Sequence, residues 1–126
     1  MDFALAFILF LLAGLCKGVM DELTFHPGGW TSRLQPRSFW DKKTSWKRMY
    51  KDWDGGDRRY RWGMATYFLY WLADGWHLME FMMMTFLAAG IATLASDDAG
   101  TWVAVFILFR VAFAAGFHLT YDESNK

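Results

Sequence analysis

The chain has 126 residues, 55% of them hydrophobic and 20% aromatic, and its 13 Lys and Arg balance 13 Asp and Glu. That length holds at most one domain, and its apolar share is well above what a soluble domain of this size ordinarily carries, so a membrane protein is expected. A single cysteine, Cys16, excludes an intramolecular disulfide and reads as a small packing residue inside an apolar run.

The first apolar run covers about residues 3 to 22, enough at about 1.5 Å per residue to cross most of a hydrocarbon core of about 30 Å. It has no basic leader and no small-x-small cleavage site, so it is read as a retained membrane helix rather than a signal peptide. Residues 23 to 62 form a loop. In its part from 24 to 62, ten Lys and Arg face four acids, while the short 96 to 100 segment holds no Lys or Arg. Trp and Tyr interleave with these cations, which suits a membrane surface better than a nucleic acid. HPGGW, Pro27 and Pro36 oppose regular structure, whereas SFWDKKTSWKRMYKDW suits a short helix lying on the membrane.

Residues 63 to 95 contain no proline, but a single helix over them would be about 50 Å long, so part must lie outside the hydrocarbon or the helix must break. Gly75 offers the break. The true span is placed at about 76 to 95, preceded by an interfacial extension over about 58 to 73. SDDAG at 96 to 100 is a turn, and about 101 to 120 forms the third span. The expected fold is therefore all-α and integral to the membrane: one membrane domain of three transmembrane helices, with an aromatic and basic interfacial loop between the first two. The Lys and Arg asymmetry places that loop and the C-terminal YDESNK in the cytoplasm and the N-terminus outside, in a bacterial inner membrane. Trp40, Trp46, Trp53, Trp62, Trp71 and Trp76 are the expected interface anchors. Gly14 with Gly18, Ala88 with Ala92, and Ala112 with Gly116 are small pairs spaced by four, a pattern that lets helices approach closely.

Polar residues inside such spans carry any function. Lys17, Asp21, Glu80 and Arg110 form an expected intramembrane charge network, in which Lys17 sits one turn from Asp21 and Arg110 reaches Glu80. His26, His77 and His118 fall at similar depth and could meet Asp21, Asp74, Glu80 and Asp122, with His77 and Glu80 on one helical face, as either a polar cluster or a transition-metal site of imidazole and carboxylate. Met79, Met82, Met83 and Met84 tempt a copper reading, but consecutive positions point around a helix, which favours packing.

Three patterns, Lys17-Gly18-x-x-Asp21, Phe39-Trp40 with Ser45-Trp46-Lys47 and Tyr50, and Asp74-Gly75-Trp76-His77-Leu78, together resemble a group of uncharacterised small integral membrane proteins of bacterial and phage genomes. The resemblance covers about half of the chain and implies architecture only. Glu80 and His118 are not part of it.

No phosphate loop, nucleophile elbow, CxxC or CxxCH occurs. The leading expectation is a structural or accessory subunit that assembles with itself or with a larger membrane complex, in contact with membrane lipid and without nucleic acid. A metal-dependent enzyme or electron-transfer subunit with its site at the cytoplasmic boundary is the alternative, and a phage-type pore former a second one.

Overall fold

The computed structural model describes residues 1–120, apart from the side chains of Phe117, His118 and Thr120. Three long helices carry the chain: α1 over Phe3–Phe25, α2 over Gly75–Ala95 and α3 over Ala99–Thr120. Each contains a stretch long and apolar enough to cross a membrane, with mean hydropathy 2.3, 1.7 and 1.7 over the windows that define the spans. Their Leu, Ala and Met content favours helix, and no proline interrupts them. The expected all-α, three-span membrane architecture is what the chain adopts. The first helix runs three residues beyond the expected end, and the third begins at Ala99 rather than near 101.

The chain divides into two compact units, residues 1–13 with 84–126, and residues 14–83. In the first unit, Gly90 lies directly under the Phe10 ring: a Cβ there would stand 2.6 Å from a ring carbon, so only glycine fits without a shift. Trp102 Nε1 donates to Thr93 Oγ1 at 3.1 Å, and Thr93 in turn donates to the Ala89 carbonyl at 2.8 Å. That chain of bonds ties α3 to α2. The turn between them is closed by Asp98, whose carboxylate accepts the Thr101 backbone N–H at 2.8 Å and so caps α3. Those backbone donors hold the Asp98 carboxyl below the usual carboxylate range. The N-terminal ammonium meets the Asp97 carboxylate.

The second unit holds the loop. Short helical turns at Trp30–Arg33, Arg37–Trp40, Lys42–Ser45 and Trp46–Met49 lead into an antiparallel hairpin, β1 over Tyr50–Asp52 and β2 over Asp57–Tyr60. The single interfacial helix expected from residue 38 to 53 is thus replaced by turns and a strand. Asp41 restarts the backbone by accepting the Lys43 N–H at 3.1 Å. Tyr50 then stacks on Tyr60 at 5.4 Å and meets Trp53, which itself packs edge-on against Trp46 at 4.8 Å. Cross-strand aromatic pairing of this kind favours extended backbone over helix. Gly56, at φ +91°, supplies the left-handed residue of the hairpin turn.

The extension expected over 58 to 73 is likewise not one helix. It is β2 followed by short turns at Gly63–Ala65, Thr66–Leu69 and Tyr70–Leu72. Gly63, at φ +56°, breaks any helix running through it. The break placed at Gly75 is where α2 begins.

Burial along the helices follows small residues. On α1 the buried positions are Ala6, Ala13, Cys16, Met20 and Leu23, a stripe with helical spacing. On α2 they include Met84, Ala88 and Ala92, spaced by four. Of the three small pairs, Ala88 with Ala92 is therefore packed, while Gly14, Gly18 and Gly116 have open space beside them. None of the 18 residues of the α3 span, Ala99–Gly116, is buried.

Candidate functional site

The start of α2 concentrates the polar contacts of the second unit. Asp74 is 1% exposed and caps the helix: one carboxylate oxygen accepts the His77 backbone N–H at 2.9 Å, and the other lies 2.7 Å from His77 Nδ1. The cap satisfies a helix N–H that would otherwise lack a partner, and the same carboxylate fixes the imidazole. The contact at Nδ1 fixes the orientation of the imidazole ring. The ring is 26% exposed at its side chain, with Tyr70 and Trp76 set edge-on at 5.7 and 5.3 Å.

Gly75 follows for a steric reason. A Cβ there would lie 2.2 Å from the Trp40 ring, so the loop indole rests directly on the first turn of α2. Arg48 reinforces the junction, donating from Nε to the Ala73 carbonyl at 2.9 Å and from Nη1 to Ser38 Oγ at 3.3 Å. Phe39 lies under its guanidinium at 5.6 Å.

Thr24, in the last turn of α1, joins three segments through one oxygen. Its hydroxyl donates to the Met20 carbonyl at 2.7 Å and accepts from Lys42 Nζ at 2.9 Å and from Trp76 Nε1 at 3.2 Å. Lys42 also sits over the Trp76 ring at 4.7 Å. Burial pushes the Lys42 ammonium below its ordinary value, and the nearby Asp74 charge opposes that only in part.

The other expected site residues are placed as follows. Lys17 and Asp21 form an ion pair on α1, both side chains about half exposed. Glu80, half-buried, belongs to the second unit, and Arg110, also half-buried, to the first. His26 pairs with Glu22, Nδ1 to carboxylate 3.2 Å, and is 70% exposed. The two histidines with described side chains thus each have a carboxylate of their own. Among the described residues no group of three or more His, Cys, Asp or Glu is placed to hold a metal ion. The side chain of His118, and Asp122, lie outside the described residues.

The six tryptophans expected as anchors are all half-buried. Several bind the loop to itself and to α2: Trp40 on Gly75, Trp46 with Trp53, Trp71 stacked on Phe81 at 4.9 Å, and Trp76 on Thr24. Met64, Tyr67 and Phe68 are the strongly exposed large side chains in this stretch. Sequence reasoning missed Thr24 and Lys42. A threonine one turn before a helix end has no distinguishing pattern, and Lys42 is one of ten cations in its segment.

Scans against family models, curated proteins and solved structures found no match.

Proposed function

We propose that this chain is a structural or accessory subunit of a membrane assembly, built from copies of itself or with a larger complex. The observation that carries the reading is the outer face of α1, where Lys17 and Asp21 pair within the spanning helix while remaining 54% and 48% exposed. A charge deep in a bilayer costs on the order of 2.5 to 3.5 kcal/mol even on the gentler insertion scale and is rarely left to lipid. Gly14 precedes the pair and Gly18 lies between its members, both with nothing within 4 Å of where a Cβ would stand. Small residues spaced by four let a second backbone come close, and the ion pair supplies polar contact to whatever docks there.

The basic loop and the Lys and Arg asymmetry support a cytoplasmic loop with the N-terminus outside, in a bacterial inner membrane. The test is energy transfer between differently labelled copies in liposomes, together with crosslinking in native membranes. Gly14→Leu with Gly18→Leu fills the face and is expected to abolish association in at least one of the two. A chain that is monomeric in liposomes, and whose native crosslinks survive the double change, overturns the proposal.

A further inference from the structure

A cleft of about 280 Å³ lies in the second unit between the end of α1 and the first turns of the loop. Its walls are of two kinds. Arg37, Lys42 and Lys43 bring three cations and Thr31 and Ser32 two hydroxyls, while Leu23, Pro27 and Trp40 are apolar or aromatic. The only acid in the lining is Asp41, and its Oδ1 is engaged as the cap on the Lys43 N–H at 3.1 Å.

We propose that this cleft binds the phosphate of an anionic lipid headgroup. Lys42 is the strongest argument. Its ammonium is partly withdrawn from water, its contacts are a hydroxyl, Thr24 Oγ1 at 2.9 Å, and the Trp76 ring face at 4.7 Å, and the nearby Asp74 carboxylate, which already holds His77, offsets its charge only in part. A partly desolvated cation beside two further cations is balanced by an anion that brings its charge from outside, and phosphate oxygens match both the ammonium groups and the Arg37 fork. The position argues for the source. Leu23 and Thr24 lie in the last turn of a membrane-spanning helix, so the cleft opens where headgroups sit, and its apolar wall suits the glycerol and the first acyl carbons. The volume is close to the lower end of small-ligand sites, about 300 Å³, as expected for a headgroup rather than a whole lipid.

The test uses the full chain in nanodiscs of phosphatidylcholine with a minor fraction of phosphatidylglycerol, the lipid retained per chain being read by native mass spectrometry. Phosphatidylglycerol is expected to be enriched over phosphatidylcholine by about tenfold, given two or more cations at the site. Arg37→Gln with Lys43→Gln is expected to remove that enrichment. Arg58→Gln with Arg59→Gln, an equal change of charge outside the cleft, is expected to keep it. A photoactivatable phosphatidylglycerol should crosslink the unaltered chain within residues 23 to 43, which locates the site without any substitution. Sodium phosphate separates the sources: displacement of the lipid assigns the cleft to phosphate in general, free phosphate included, and resistance assigns it to the lipid. Equal retention of the two lipids, equal loss in both double variants, or crosslinks confined to other segments would overturn the proposal.

Discussion

Single residues at the start of α2 answer why an apolar helix opens on Asp74, Gly75, Trp76 and His77. Asp74 is both cap and partner to the imidazole, Gly75 makes room for Trp40, and Trp76 reaches α1. Asp74→Ala removes the cap and leaves His77 without its carboxylate, at a cost of about 2 kcal/mol. Asp74→Asn keeps an acceptor for the backbone N–H and is expected to recover about half of that. Thermal unfolding in detergent, followed by circular dichroism, checks both, and equal melting temperatures for the two variants would remove the cap from the account. Gly75→Ala is expected to destabilise by about 1 to 3 kcal/mol because its Cβ overlaps an aromatic ring. Trp40→Leu made together with it should return part of the loss, since the overlapping ring is then gone. The importance of this tetrapeptide was legible in the sequence, because ionisable groups inside an apolar run stand out. The reason for the glycine was not, since Trp40 lies 35 positions earlier and no local pattern links the two.

At the scale of elements, the three long helices were legible from apolar length alone, and the loop between the first two was not. Amphipathic composition over residues 38 to 53 fits a surface helix, yet long-range pairing of Tyr50 with Tyr60 draws the end of that stretch into a strand. Pairing partners ten residues apart leave no periodic trace in either segment. The hairpin has its own electrostatic signature. Arg59 bonds the Asp57 carboxylate through Nε and Nη2, each at 2.8 Å, and the hydrogen bond from Arg59 holds the Asp57 carboxyl down at about 2 from a usual 3.8. A depressed carboxyl stabilises the folded hairpin fully above its unfolded value and loses that contribution as pH falls through its folded one. The contribution of this contact is therefore expected to be present from neutral pH down to about 4 and to fade between there and about 2. Carbon NMR of the Asp57 carboxyl in micelles measures this directly. A midpoint near 3.8 would mean that the Arg59 contact is not formed in solution.

For the molecule as a whole, orientation follows from charge in the connecting segments and is the property most open to a direct check. The proposed topology expects a cysteine introduced at Ser38, which is exposed, to resist a membrane-impermeant maleimide added to intact cells, and one at Ser96 to react. The reverse pattern would invert the protein in its membrane. Architecture could be read from the sequence because span length and charge bias are summed over many residues. The site could not, because it depends on a few contacts between segments far apart in the chain. Thr24 is one such contact. Lys42 follows it by 18 residues and Trp76 by 52, so one hydroxyl gathers partners that leave the ribosome at different times. The last to arrive reports on how α2 went in. Had that helix entered with its other end leading, the indole of Trp76 would emerge across about 30 Å of hydrocarbon and the bond could not close. The bond between Thr24 and Trp76 therefore closes only when the end of the first helix and the start of the second lie at the same face of the membrane.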